Sequence, residues 1–486
     1  MTQNTLYWHD YETFGLDPAR DRPVQFAGIR TDEDLNIIGE PLNIMARPAP
    51  DTLPHPISSL ITGITPQQAL GQGLPEAEFI ARILAELSQP GTCGVGYNSL
   101  RFDDEVTRNT LYRNLHEPYG REWQNGNSRW DIIDMVRACH DLRPEGIVWP
   151  RRTDADRPSF RLEELTVANG IAHEQAHDAL SDVYATLAIA KLIKEKHPKL
   201  YDFLYRMRRK KEVLKYIDLK EMTPILHTSG MYGSDHGSTR LVVPIAPHPT
   251  NKNSIIVFDL AQDPALLLDL GATTLRERLY TANEDLPEGV ERPALKQVTI
   301  NKCPVIAPTS TLTGDAAKRL QIDLITGKRN RHTLLHACKT IEQKIAKIFE
   351  TREFEPITDP DLMIYAGGFF NDSDKAQMKA IHDSDPQELG NKSWGFVDKR
   401  LPEMLFRYRA RNYPETLSAD EQAQWLEHCR ARLVDGESGH YSFTDFHPEI
   451  EQLRAEVAVD DAKIRLLDEV AAFGAELKSF VQSATD

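Results

Sequence analysis

The sequence predicts an α/β domain built on a mixed sheet, then a small β-rich domain, then an α-helical domain, with bounds at 1–198, 199–352 and 353–486. Three observations lead there. Strand and helix patterns alternate over the first two hundred residues, β-rich runs separated by Pro, Asn and Gly clusters fill the middle, and helical spacing dominates after Thr333. A chain of 486 residues also exceeds what one core serves, and about 150 residues per domain gives three.

Leu6 to Phe14, Val24 to Thr31 and Leu35 to Ala46 read as three successive strands joined by turn residues, an antiparallel start to the sheet. Thr65-Pro66-Gln67-Gln68 then opens a helix with an N-cap, a proline at the first position and a Gln three residues after the cap, and Phe79, Ile83 and Leu87 continue it at helical spacing. Thr92 to Tyr97 is the next strand and Asp104 to Leu115 the next helix. Asp178 to Lys196 closes the domain as a helix whose buried side is Val183, Leu187, Ile189, Leu192 and Ile193. In the middle, Thr239 to Ile245, Ser254 to Leu260 and Lys296 to Val305 are strands, with a short helix at Thr274 to Tyr280. Pro402 to Arg411, Ala419 to Leu433 and Glu449 to Val481 are the clearest helices of the last third.

Hydrophobic residues at 40% and charged residues at 27% exclude a disordered or fibrous chain. No run approaches the roughly 18 apolar residues of a membrane span, and the start lacks a secretory leader. Five scattered cysteines without a Cys-x-x-Cys pair suit a reducing cytoplasm. The net charge of −16 hides segregation: Tyr201 to Lys215 holds six bases against two acids, Lys318 to Lys347 eight against two, and Tyr441 to Asp486 four against ten. Either basic run can be a solvated helix face, line a nucleic-acid path or dock an acidic protein segment.

Three short motifs carry the chemistry. In His9-Asp10-Tyr11-Glu12 on the first strand, alternation puts Asp10 and Glu12 on one face and Tyr11 on the other, and two converging carboxylates suggest a hard divalent cation such as Mg²⁺ or Mn²⁺, with compensation by water or a positive side chain on an ordinary surface as the alternative. Phe102-Asp103-Asp104-Glu105 lies where a strand runs into a helix, the edge at which open α/β sheets place ligands. Asp103 is the candidate there, and a plain helix cap by Asp103 or Asp104 is the alternative. His177-Asp178-Ala179-Leu180-Ser181-Asp182 opens the closing helix, so the spacing lets Asp182 face a metal while His177 reaches the attacking water, and a plain exposed histidine beside a helix start is the alternative.

Together the three motifs resemble the DEDDh family of 3′→5′ exonucleases, with its Asp-x-Glu, later Asp and His-x-x-x-x-Asp. Leu60-Ile61-Thr62-Gly63-Ile64-Thr65, Arg101-Phe102-Asp103-Asp104-Glu105-Val106-Thr107-Arg108-Asn109, Pro158-Ser159-Phe160-Arg161-Leu162-Glu163, Asn301-Lys302-Cys303-Pro304-Val305 and Phe396-Val397-Asp398-Lys399-Arg400 look like the bacterial exodeoxyribonuclease I family over nearly the whole chain. That resemblance implies an RNase H-like (DnaQ-like) exonuclease domain, an SH3-like domain and a helical domain closing around single-stranded DNA. It implies 3′-5′ hydrolysis to 5′-mononucleotides by a two-metal mechanism in DNA repair and recombination. By the same carry-over Asp10, Glu12 and Asp182 hold two Mg²⁺ ions (Mn²⁺ as substitute), Asp103 is the further carboxylate, and His177 is the general base. Glu12 and Arg161 then meet the substrate at the scissile end.

Substrate grip is expected from aromatics and bases rather than from net charge. Tyr112, Tyr119, Trp123 and Trp130 punctuate a stretch rich in arginine, and each base stacked on a ring contributes about 1–3 kcal/mol without selecting sequence. Core packing is the alternative for any one ring. The resemblance assigns DNA contacts to Arg108, Tyr119, Trp123 and Arg137. It also implies a partner, the acidic C-terminal tail of single-stranded-DNA-binding protein, with Arg143 at a matching basic position. Three domains around one strand need no second copy, so a monomer is expected. Two rivals stand beside this reading, a ribonuclease of the same fold and a catalytically silent nucleic-acid-binding adaptor. Every catalytic carboxylate is present, which disfavours the adaptor.

Overall fold

Alternation along β1 (Thr5–Thr13) sends Tyr7 and Tyr11 into a core with Phe26, Phe79, Ile80 and Ile83, in a computed structural model that describes residues 4–152, 157–173, 177–233, 235–282, 284–350 and 356–482. β1 pairs antiparallel with β2 (Pro23–Thr31), β2 antiparallel with β3 (Leu42–Met45), and β1 parallel with β4 (Thr92–Gly96), so the sheet is mixed. The helices Glu76–Leu87 and Asp103–Arg113 contribute Phe79, Ile80, Ile83, Val106 and Leu111 to the same core.

Contact density divides the chain into two compact units. One is Met1–Ser128, His173–Tyr184 and Glu355–Asp486; the other is Arg129–Ala172 and Ala185–Phe354. β5 (Ser128–Asp131) crosses from the first into the second.

The third predicted strand and the helix after it are both interrupted. Leu35 (φ 69°) and Gly39 (φ 82°) turn the backbone into the left-handed region, so the strand expected over 35–46 shrinks to β3. The helix expected from Thr65 to Leu87 is two, Pro66–Gln72 and Glu76–Leu87. Gly73 and Pro75 separate them. A Cβ on Gly73 would fall 2.4 Å from the Ala69 carbonyl oxygen, so only glycine passes there.

In the first unit, Ala419–Leu433, Phe443–Glu456 and Asp461–Gln482 pack around Trp425, Phe446, Leu467, Val470 and Phe473, with Leu53 in the same cluster. The helix expected over Glu449–Val481 is broken, because Asp460 Oδ1 accepts from the Ala462 and Lys463 amides and starts a new helix. Beside this core lies a buried ionic network. Asp51 Oδ2 accepts from Arg22, Arg411 and Arg432 at 3.2, 3.0 and 2.8 Å, and Asp361 Oδ2 from Arg411, Arg432 and Arg407 at 2.5, 2.9 and 3.2 Å. Asp359 joins through Arg407 at 2.5 Å and Arg432 at 2.8 Å. Arg411 and Arg432 side chains are only 2% exposed, so these charges are satisfied by one another rather than by water.

The second unit holds an antiparallel sheet in the order β10-β6-β7-β8-β9, made of β6 (Ile225–Thr228), β7 (Thr239–Pro247), β8 (Ser254–Asp259), β9 (Leu295–Thr299) and β10 (Val305–Pro308). Its core joins Leu226, Val243, Ile256 and Phe258 to Leu334, Ile341 and Ile345 of the helices Leu324–His336 and Cys338–Ile348. The single strand expected over Lys296–Val305 is two strands, separated at Cys303, whose φ is 46°. β6, four residues long, had no sequence signal of its own. All five cysteines are free and, among the described residues, no helix is long and apolar enough to cross a membrane.

Candidate active site

Asp10 and Glu12 leave β1 on the face opposite Tyr11, and across the antiparallel register they stand over Ala27 and Gln25 of β2. β4 runs parallel to β1 and ends at Gly96, and the turn after it delivers Asp103 to the first position of the helix Asp103–Arg113. The Tyr11 backbone N–H donates to Asp103 Oδ1 at 3.1 Å, which ties this carboxylate to the strand carrying the other two. Asp104 points elsewhere, buried against Arg121 Nη2 at 2.6 Å. That ion pair separates two neighbours the sequence left undecided.

His177 adopts a left-handed conformation (φ 67°) ahead of the helix Ala179–Lys196 and is exposed. Asp182 lies in that helix's first turn, and ligand atoms of Glu12, His177 and Asp182 lie within 4.8 Å of one another. Burial pushes the Glu12 carboxyl up to about 9, with the charges of Asp182, Asp103 and Asp178 adding to it. Burial, and then Asp103, Glu12, Asp182 and Asp178, hold Asp10 well above the usual carboxylate range. Burial also raises Asp182, against the pull of His173 and His177. Carboxylates crowded this way resist ionising together unless a positive charge joins them. A donor set of carboxylate oxygens fits a hard divalent cation, and the His177 imidazole stands beside it.

Two members of this site lacked a sequence signal. Asp178 adds a further carboxylate, and His173, its side chain 2% exposed, places Nε2 at 2.5 Å from Asp182 Oδ1. His173 is four residues before His177, and 174–176 between them lie outside the described residues.

The aromatics of the arginine-rich stretch divide by burial. Tyr112 and Trp130 are core residues, whereas Trp123 is 66% exposed and Tyr119 half-buried. Two rings absent from the sequence reading join Tyr119 in a platform of angled faces, Phe369 edge-on at 5.7 Å and Tyr365 tilted at 6.5 Å between centroids; Phe369 is 83% exposed. Arg108 is held by Glu122 at 2.7 and 2.8 Å and by Glu105 at 2.6 Å, and it lies 5.5 Å from the Tyr119 ring centroid. Its charge is therefore already matched, and within the protein it orders the platform. In the second unit, Arg137 pairs with Asp134 at 2.6 Å and lies over Phe160, Arg143 donates to the Leu142 carbonyl, and Arg161 is exposed ahead of the helix Leu162–Ala168.

The chain matches the family model described as Exonuclease over residues 7–190, the Exonuclease I SH3-like domain over 208–351 and the Exonuclease I C-terminal domain over 358–477. Exodeoxyribonuclease I of Escherichia coli (strain K12) is 47% identical over 475 residues, covering 98% of this chain and 98% of its own length. A crystal structure of E. coli exonuclease I in complex with a dA16 oligonucleotide has a TM-score of 0.94 at 47% identity, covering 98% of this chain and 100% of that one. With the same coverage, the zinc-ion-bound form of an E. coli exonuclease I–ssDNA complex gives 0.93 at 46%, and a structure of SSB/exonuclease I in complex with the inhibitor CFAM gives 0.88 at 45%.

Proposed function

The chain belongs to the exodeoxyribonuclease I family, and on that premise we propose that it removes 5′-mononucleotides from the 3′ end of single-stranded DNA, using Asp10, Glu12, Asp103, His177 and Asp182. The observation that carries this reading is the convergence of those carboxylates, from one strand and the first turns of two helices, beside an exposed histidine. The exonuclease depends on a divalent metal. Mg²⁺, with Mn²⁺ as substitute, suits the oxygen-rich donor set, and Asp10, Glu12 and Asp182 are its holders. Bound there as a pair of ions, it supplies charge neutralisation for the phosphodiester and a more acidic attacking water.

The remaining steps fall to the protein's own groups. Asp103, fixed by the Tyr11 amide, completes the negative field that retains the cation. His177, exposed and held at the helix start, accepts the proton of the attacking water at a ring nitrogen. Tyr119, Trp123, Tyr365 and Phe369 offer stacking faces to bases, a mode that suits single strands and reads no sequence. Arg108, its charge matched by Glu122 and Glu105, serves the DNA contact through the Tyr119 ring it lies beside, Arg137 acts at the DNA, Arg161 at the scissile end, and Glu12 against the substrate as well as the metal. An SSB/exonuclease I structure among the similar proteins supports single-stranded-DNA-binding protein as a partner; in this reading its acidic C-terminal tail is the docking segment and Arg143 a contact. The family-model ranges support domains at 1–198, 199–352 and 353–486. Five free cysteines suit the cytoplasm.

Labelled single-stranded DNA, duplex DNA and RNA of matched sequence, digested with Mg²⁺, test the substrate class. Single-stranded DNA should shorten from its 3′ end with mononucleotide release. Faster turnover of the RNA would replace this reading with the ribonuclease one. For the base, His177→Ala is expected to lower kcat about 10²–10⁴-fold in single-turnover digestion, with DNA affinity retained. Equal loss in His173→Ala beside an unimpaired His177→Ala would move the role to His173.

A further inference from the structure

Gln25 lies on β2 directly opposite Glu12 in the antiparallel register and is 4% exposed. Its carboxamide makes three hydrogen bonds. Nε2 donates to Asp178 Oδ1 at 2.9 Å and to Asn43 Oδ1 at 3.1 Å, and Oε1 accepts from the Ala179 backbone N–H at 3.3 Å. Asp178 in turn accepts from the Ser181 amide through its other oxygen at 3.1 Å, capping the first turn that carries Asp182. One buried side chain thus joins the strand next to Glu12 to the residue after His177 and to the first residue of the helix bearing Asp182.

The requirements at this position are specific. The Asp178 carboxylate needs a donor and the Ala179 N–H needs an acceptor, and an amide of glutamine's length supplies both from one group. A glutamate there would set a carboxylate against the carboxylate of Asp178. An aliphatic residue would leave the Ala179 N–H and one Asp178 oxygen without these partners in a buried place. The helix is entered through a left-handed residue, His177 at φ 67°, so the path of the chain alone does not set its rotation on the sheet.

We propose that Gln25 is a positioning residue for hydrolysis: it fixes the seat of the Ala179–Lys196 helix on the sheet, and so the approach of His177 and Asp182 to Glu12. The inference rests on the reading that His177 and Asp182 take part in the reaction. Displacing reacting groups by about 1 Å costs about 10²-fold in rate, which sets the scale of the effect.

Gln25→Glu, Gln25→Leu, Asp178→Asn and the double variant Gln25→Glu/Asp178→Asn form the test. Gln25→Glu is expected to lose about 10–100-fold in kcat while KM for single-stranded DNA changes less than about twofold. In the metal-free protein, the amides of residues 179–182 should exchange hydrogen about tenfold faster. In the double variant the bond is reversed: the new carboxamide at position 178 donates and the new carboxylate at position 25 accepts. Its loss should therefore be at least about tenfold smaller than the product of the two single losses. Gln25→Leu, which adds no charge, should share the faster exchange and a kcat loss of about tenfold. Unchanged kcat in both Gln25 variants, or strictly multiplicative losses in the double variant, would overturn the proposal. Asp182→Asn serves as the control: if it stays fully active, the active-site reading fails first, whatever Gln25 does.

Discussion

Asp10→Asn should remove about 10³-fold or more of the hydrolysis rate and, in metal-free protein, raise the melting temperature. The two effects have one origin. A metal ion contributes several kcal/mol of transition-state charge stabilisation, and each 1.4 kcal/mol is tenfold in rate, so losing a ligand carboxylate produces a loss of about that order. Without metal, the same carboxylate is crowded by Glu12, Asp103, Asp178 and Asp182, and burial with their charges holds it well above its ordinary range. An amide of the same shape relieves that repulsion. Single-turnover digestion and calorimetry in chelator check both halves. Loss of activity with a lowered melting temperature would mean that Asp10 supports the fold instead, and retained hydrolysis would remove it from the chemistry.

The second large effect lies away from the site. Asp361→Ala leaves Arg407, Arg411 and Arg432 facing one another with one counter-charge fewer, and breaking a buried pair from one side costs about 3–5 kcal/mol. Denaturant unfolding should register that loss. Burial alone would raise Asp51 and Asp361, but the guanidiniums outweigh it: Arg411, Arg432 and Arg407 around Asp361, Arg411 and Arg22 foremost around Asp51. Both carboxyls sit well below the usual range. A depressed folded value means stability that is present above the unfolded value of about 3.9 and lost as pH falls towards the folded one. The wild type should therefore lose stability steeply below about pH 4, and Asp361→Ala less steeply. Parallel pH–stability curves for the two proteins would contradict this account.

Local rules explain what the sequence made legible. Period two along β1 is enough to place Asp10 and Glu12 together behind Tyr11, and helix spacing is enough to find Ala419–Leu433, which the structure reproduces. Pairings across long stretches of chain leave no such trace. Asp51 meets Arg411 and Arg432, Tyr119 meets Phe369, and Gln25 meets Asp178, each an ordinary residue until the fold brings its partner. The missed breaks had local causes of a different kind. Gly73 with Pro75 ends one helix and the cap at Asp460 opens another, at points where the apolar spacing runs straight through.

The ionic network also sets an order of events during translation. Asp51 precedes Arg411 by 360 residues and Arg432 by 381, so at about 5–20 residues per second its counter-ions leave the ribosome roughly 20–80 s after it does. Until then, of the Asp51 partners among the described residues, the nascent amino-terminal half holds Arg22 alone. A polypeptide released early would lack the cations that let this corner close, so maturation of the nuclease waits on the last quarter of its own synthesis.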